Sequence, residues 1–378
     1  MLIRISKYLL MVILMTDREQ EILEIIKENP MVSQQELADI LNITRSSVAV
    51  HITNLMKKGY IKGKGYIISK SNFVTIIGGS NIDIQGAPNN DVVMFDSNPG
   101  KVDISLGGVG RNICENISKL GVNTKLLSAI GNDVYGNKII HDCKKMNIDI
   151  SDCYISDSAP TSMYLSILNN DNDMQLAISH MDIIDKIDID YIASKHSSIK
   201  DSLAIVIDTN LNSEVIDYIT KTYTNIPIFV DTVSTHKSLK IKDIIGRFHT
   251  IKPNKYEAEI LSGIKINSKE DLQTCANYFL NQGVKNIFIT LGQDGVFCAN
   301  ENKTFHLPGV KVNAVSATGA GDAFISGLVY SYLNDLSLED TAKFSTASAI
   351  LTLLHKNTIN PAMSVDSVQK ILEEMILC

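Results

Sequence analysis

The residues best equipped for chemistry lie at Thr318-Gly319-Ala320-Gly321-Asp322-Ala323-Phe324. A strand-like segment, residues 310–315, leads into them, and an apolar helical run follows (Phe324, Leu328, Val329, Tyr332). Glycines at a helix start let backbone N–H groups approach an anion closely, and the helix dipole favours negative charge there. Gly319, Ala320 and Gly321 could supply those groups. Asp322 would sit in the first turn. A carboxylate beside an anion hole can orient a hydroxyl and accept its proton during phosphoryl transfer. The plainer reading is an acidic residue that stabilises a helix N-terminus.

Further motifs precede this one. Gly107-Gly108-Val109-Gly110-Arg111-Asn112 opens a helical pattern that Gly121 closes. It lacks the Gly-Lys-Ser/Thr of a P-loop and breaks the dinucleotide spacing. Asn112 can both donate and accept, which suits a sugar hydroxyl. Gly78-Gly79-Ser80-Asn81-Ile82-Asp83 follows an apolar run, so Asp83 is either a turn residue or a ligand carboxylate at a strand's carboxyl end. In Lys252-Pro253-Asn254-Lys255-Tyr256-Glu257, the Asn and Glu are three apart. They could organise Mg²⁺ through oxygen, or simply form a capping box. Thr290-Leu291-Gly292-Gln293-Asp294-Gly295 fits a hairpin or a nucleotide loop equally well.

These motifs need a scaffold, and the rest of the chain describes one. Beyond residue 70 short apolar runs alternate with amphipathic helices, as in βαβ units. Strands are expected near 73–77, 124–129, 203–207, 226–230 and 287–290. Residues 85–104 and 162–168 read as strands set apart from the main sheet, a lid. This region carries 25 Lys+Arg against 35 Asp+Glu, so it is not a nucleic-acid surface. The six cysteines show no CxxC spacing and are expected to be reduced thiols of a cytoplasmic protein. No apolar run approaches the roughly 18 residues of a membrane span.

The first 70 residues differ. Residues 1–15 form a short apolar extension without the features of a signal peptide; translation from Met15 or an extra packed element are the two expectations. Over 16–70, Thr16/Glu19 and Ser33/Glu36 have capping-box spacing, and Thr44 caps a third helix with Val48, Ile52 and Leu55 on one face. Residues 60–68 read as a hairpin. Three helices and a hairpin in this order make a winged helix-turn-helix. Residues 44–70 hold six basic and no acidic residues, which suits DNA phosphates. Arg45, Ser46, Ser47 and His51 are the candidate base readers, and Lys62 and Lys64 lie on the wing. A protein-contact module with a basic face is the alternative.

The order GG-SNID, GGVGRN, KPNxxE, TLGxxG, TGAGDAF resembles the ribokinase/PfkB family of carbohydrate and nucleoside kinases, from about residue 71 onward. The resemblance implies a ribokinase-like α/β fold: a mostly parallel sheet flanked by helices, with a small β lid, over residues 71–378. It implies Asp322 as catalytic base and Gly319, Ala320 and Gly321 as anion hole. It places substrate on Asn81, Asp83, Gly107, Gly108, Asn112 and Thr161, ATP along Thr290, Gly292, Gly295 and Thr318, and Mg²⁺ near Asn254 and Glu257 through water. Asp96-Ser97-Asn98-Pro99-Gly100, Thr161-Ser162-Met163-Tyr164 and His180-Met181-Asp182-Ile183 narrow it toward pseudouridine kinases, which act on the 5′-hydroxyl of a nucleoside. Ser316-Ala317-Thr318 departs from the family's Asp-Thr-Thr and puts K⁺ activation in question, backbone carbonyls being the remaining ligands. Dimerisation through the lid is common in relatives and is expected here. The competing readings are a kinase for another nucleoside or a sugar, and a transcriptional regulator whose kinase-like domain only senses a ligand.

Overall fold

The computed structural model describes residues 15–61, 72–169 and 173–377. The chain divides into two compact units at Asn72/Phe73.

In the first unit, three short helices enclose a core of Ile22, Ile26, Leu37, Val48, Ile52, Leu55 and Ile61. They are α1 (Asp17–Glu28), α2 (Gln34–Leu41) and α3 (Arg45–Lys57). Thr16 and Ser33 form reciprocal capping boxes with Glu19 and Glu36, and Thr44 accepts from the Ser47 amide at 3.1 Å. Each satisfies orphan donors at a helix start. Glu19 is nearly inaccessible and paired with Lys58 at 2.6 Å, fixing the start of α1 against the end of α3. Arg45, Ser46 and Ser47 are exposed along the first turn of α3, and His51 is half-buried. The expected wing, including Lys62 and Lys64, lies outside the described residues beyond Ile61, as does the extension up to residue 14.

The second unit is built on an eight-stranded sheet, ordered β14-β13-β12-β11-β10-β9-β1-β4. Six strands run parallel: β1 (Phe73–Ile77), β4 (Asn123–Leu127), β9 (Ala204–Asp208), β10 (Ile228–Asp231), β11 (Thr250–Ile251) and β12 (Asn286–Thr290). The last two, β13 (Val296–Asn300) and β14 (Thr304–Leu307), are antiparallel. Strand side chains alternate between two apolar layers. Ile77, Ile205, Ile207 and Val230 enter one, and Val74, Ile76, Val206 and Phe229 the other. A parallel sheet buried on both faces therefore reads as near-continuous Val/Ile runs. Helix α4 (Val109–Lys119) connects the lid to β4, and α5 (Val134–Lys145) follows it. Helix α6 (Ser213–Thr222) crosses from β9 to β10; α7 (Lys255–Ser262) and α8 (Lys269–Gln282) cross from β11 to β12. The chain ends with α9 (Ala320–Leu333), α10 (Leu338–Leu353) and α11 (Val365–Leu377).

Four strands make a separate sheet, ordered β3-β2-β7-β8: β2 (Asn81–Pro88), β3 (Gly100–Gly107), β7 (Met163–Leu168) and β8 (Met174–His180). This is the expected lid. Its register puts Ile104, Ile84, Leu165 and Ile178 in one row, and Ser105, Asp83, Tyr164 and Ser179 in the adjacent row on the opposite face. A short parallel pair, β5 (Ala129–Gly131) and β6 (Tyr154–Ser156), lies between lid and sheet in sequence.

Residues 310–315 are not a strand, contrary to expectation. Gly309 abuts the Gln293 carbonyl as the chain leaves β14, and Val310 and Val312 then pack on the layer of α10 and α11. The Val315 amide donates to the Leu353 carbonyl at 2.8 Å, so this apolar run covers helices rather than joining the sheet. Five cysteines are free and buried, and Cys378 lies outside the described residues. No described helix is long and apolar enough to cross a membrane.

Candidate active site

Because six strands are parallel, β1, β9, β10 and β11 end at the same edge of the sheet. Ligands of open α/β sheets bind outside such carboxyl ends. At this edge Gly78-Gly79 follows β1, Asp208 ends β9, Asp231 ends β10, and Lys252-Pro253-Asn254 follows β11.

Asp208 is fully buried and accepts from the amides of Gly79 at 2.8 Å, Gly110 at 2.9 Å and Asn210 at 2.9 Å. One carboxylate thus ties the loop after β1 to the first turn of α4. Burial raises its pKa, which the hydrogen bonds from Gly79 and Asn210 oppose. Gly107 and Gly108 meet the same loop. A Cβ on Gly107 would run into the Asp83 carboxylate, and one on Gly108, at φ +96°, would lie 2.5 Å from Ser80 Cα. The glycine motif is therefore a place where two backbones touch. Asp83 accepts from Asn81 Nδ2 at 2.6 Å; burial pushes its pKa up, and Asn81 and Arg111 pull it back.

Asp322 lies in the first turn of α9, 8% exposed, with Gly319 (φ +83°) as N-cap. Its Oδ2 accepts from Asn112 Nδ2 at 2.9 Å. Burial, followed by the negative charge of Asp231, pushes its pKa up to about 8, with Asn112 and Lys252 opposing. Only its ionised form, whose share grows as pH rises toward that value, can take a proton from an alcohol. Lys252 Nζ lies 3.6 Å from Asp231 Oδ2 and 3.3 Å from where a Cβ on Gly321 would be. A cation therefore flanks the amide-lined start of α9, the arrangement that attracts phosphate.

Asn254 and Glu257 bond reciprocally, Asn254 N to Glu257 Oε2 at 2.8 Å and Glu257 N to Asn254 Oδ1 at 2.9 Å. The capping role raised from the sequence is thus directly visible. Thr232 Oγ1 also donates to Glu257 Oε2, at 2.6 Å, behind the loop in which Val233 adopts φ +56°. No group of three His, Cys, Asp or Glu among the described residues is arranged to hold a metal. An oxygen-only donor set without a cage fits Mg²⁺, which keeps most of its waters and binds phosphates.

The remaining candidates spread outward. Thr290 bridges to Asn254, and its amide donates to the Pro253 carbonyl at 3.0 Å. Gly292 and Gly295 form the turn between antiparallel β12 and β13, the hairpin of the two sequence readings. Thr318 is exposed, its amide on Ser316 Oγ at 3.3 Å. Thr161 is 1% exposed, and its hydroxyl is held by Asp133 at 2.8 Å and by the Gly131 amide at 3.1 Å. Those bonds brace the turn before β7. Sequence reasoning missed Asp208, Asp231 and Lys252. Their signal was present: an Asp closing each of two apolar runs, AIVID and IFVD, and a Lys heading the KPN motif.

The chain matches the pfkB family of carbohydrate kinases over residues 71–365, and the winged helix-turn-helix DNA-binding family over residues 15–62. It is 37% identical over 354 residues to the uncharacterized sugar kinase YeiI of Escherichia coli, covering 93% of this chain and 98% of that protein. It is 34% identical over 305 residues to the pseudouridine kinase of Escherichia coli, covering 80% and 97%. A crystal structure from Clostridium perfringens superposes with a TM-score of 0.74 at 36% identity, covering 81% of this chain and 96% of that one. With the parallel sheet, the lid and the buried Asp322 at a glycine-lined helix start, these matches establish that the chain belongs to the pfkB family of carbohydrate kinases, phosphotransferases acting on hydroxyl groups, and carries a winged helix-turn-helix domain ahead of the kinase fold.

Proposed function

We propose that the chain transfers the γ-phosphoryl group of ATP to the 5′-hydroxyl of a nucleoside, pseudouridine being the acceptor best supported. The observation that carries the reaction is the buried Asp322, held by Asn112 at the amide-lined start of α9. The acceptor rests on the likeness to pseudouridine kinase and on the motifs around the lid.

In this reading Asn81, Asp83, Asn112 and the Gly107-Gly108 backbone hold the ribose under the polar face of the lid. The acceptor oxygen attacks the γ-phosphorus, its proton passes to Asp322, and the bond from phosphorus to the leaving oxygen of ADP breaks. The amides of Gly319, Ala320 and Gly321, with Lys252, stabilise the charge on the transferring group, while positioning does most of the remaining work. Asn254 and Glu257 would hold Mg²⁺ through water, and the ion would supply charge neutralisation on the phosphates. Thr290, Gly292, Gly295 and Thr318 border the nucleotide. Without a carboxylate in residues 316–318, a K⁺ ion would have to rest on backbone carbonyls there.

A sugar acceptor is the second reading, favoured by the 37% identity to a protein named a sugar kinase. The exposed first turn of α3 and the basic run over 44–70 support DNA binding by the N-terminal domain. The apolar outer face of the lid supports a homodimer.

The test is ATP consumption by purified protein with Mg²⁺ on pseudouridine, uridine, inosine, cytidine and ribose, with Asp322→Asn as control. Preference for pseudouridine, lost in the variant, is the expected result. Preference for ribose transfers the mechanism to a sugar. Ligand binding without turnover on any acceptor leaves a ligand-sensing regulator.

A further inference from the structure

Asn112 uses both ends of its amide. Nδ2 donates to Asp322 Oδ2 at 2.9 Å, and Oδ1 accepts from Arg111 Nη1 at 3.0 Å. Arg111 is 4% exposed and also pairs through Nη2 with Glu115, one turn along α4. A guanidinium carries donors only, so it accepts no reversed amide: turning Asn112 over would set its NH₂ group against Nη1. The amide is thereby committed to donating toward Asp322.

This commitment has a chemical consequence. A freely turning amide can serve both states of a carboxyl, donating to the ionised form or accepting from the protonated one. An amide locked as donor favours the ionised form alone, which is the form that can take a proton. From α5, the buried Cys143 thiol also hydrogen-bonds the Arg111 side chain. Arg111 also stands close enough to Asp83 to favour its charged state. Its one side chain therefore backs both the ribose carboxylate and the amide that faces the base.

We infer that Arg111 is a positioning residue for phosphoryl transfer: through Nη1 it locks the Asn112 amide so that Nδ2 always faces Asp322. The inference rests on the kinase reading of the site, but its geometry does not. Asp231, Asp208 and Lys252 are the charged groups that act on Asp322 from the sheet edge, and none of them touches the Asn112 amide in the contacts described.

The experiment uses the full chain with Glu115→Gln as background, so that removing Arg111 leaves no unpaired buried carboxylate. Arg111→Met is added to it, and Arg111→Lys is made in the wild type. The titration of Asp322 is followed by NMR on protein labelled with carboxyl-¹³C aspartate, its resonance assigned by loss in Asp322→Asn. This readout needs no turnover. Arg111→Met is expected to move the Asp322 titration and the rising limb of the pH–kcat profile to higher pH. It should lower kcat at neutral pH by about tenfold for each unit by which the Asp322 titration rises. KM for ATP should be little changed. Arg111→Lys, which keeps the charge and one donor, shifts both in the same direction by less, and it decides the matter if the Met variant does not fold. In an Asn112→Leu background, Arg111→Met should shift the Asp322 titration no further. An unmoved titration in the Met and Lys variants, or an equal shift with and without Asn112, overturns the inference. Wild-type protein that phosphorylates no acceptor defeats the kinase reading, and the titration still decides the role of Arg111.

Discussion

Lys252 Nζ stands 3.6 Å from Asp231 Oδ2, joining the ends of two neighbouring strands directly beneath the first turn of α9. The pair is almost wholly buried. The lysine offsets the negative charge that Asp231 adds to the surroundings of Asp322, and it remains close to Gly321, where the transferring phosphate is proposed to sit. Replacing Lys252 by Met should therefore lower kcat by about a hundredfold, as for removal of one preorganised donor. It should also raise the pKa of Asp322. Steady-state kinetics across pH checks both.

Asp322→Asn should abolish turnover and stabilise the fold at alkaline pH. The folded carboxyl titrates near 8 against an ordinary 3.8, so between those values the folded chain holds a proton that the unfolded chain has released. Native stability contributed by this group thus declines as pH rises through that window. The Tm advantage of the variant should be negligible near pH 4 and grow toward pH 9, as thermal melts would show. An advantage that shrinks with pH would contradict the burial argument.

Two glycines in one motif should fail differently. A Cβ on Gly319 meets the Thr358 carbonyl in a left-handed backbone conformation, so Gly319→Ala should destabilise by about 1 kcal/mol or more. A Cβ on Gly321 meets only the flexible end of Lys252 at 3.3 Å. Gly321→Ala should keep its Tm and lose activity, because the methyl enters the space for phosphate. Melting curves and kcat measured side by side separate the two.

The outer face of the lid exposes Val102, Ile104, Leu165, Leu176 and Ile178, a contiguous apolar surface by register. Such surfaces mark interfaces. Ile178→Asp should convert a dimer to a monomer in light scattering. A monomeric wild type would remove the proposed dimer.

Arg45 is exposed at the start of α3 with no acidic residue in its turn. Arg45→Ala should weaken duplex DNA binding and reduce the slope of log affinity against log salt by about 1, as for one phosphate contact. Titrations at several salt concentrations would measure it.

Local signals were legible where the interacting groups lie within a few residues. Thr16 with Glu19, Ser33 with Glu36, and Thr44 with Ser47 all form the caps their spacing announces. Asn254 with Glu257 does the same, and there the plain capping geometry is visible beside any role toward a metal. Residues 310–315 misled because apolar alternation reports burial but not the partner; these side chains found helices. Thr161 was singled out by resemblance alone, and its surroundings bind it to Asp133.

The sequence by itself determined the family, the alternating elements, the helix starts and the place of Asp322 at a glycine-lined helix start, since each is written in local motifs and spacing. Only the tertiary structure decided which groups face one another. Strand order sets β9 between β1 and β10, so Asp208 reaches Gly79 and Gly110 from a distant part of the chain. Asn112 and Asp322 are 210 residues apart, and their hydrogen bond exists because α4 and α9 both begin at the carboxyl edge of one parallel sheet. No local periodicity carries that information: side-chain convergence follows from how strands are ordered and packed, which only the folded chain defines.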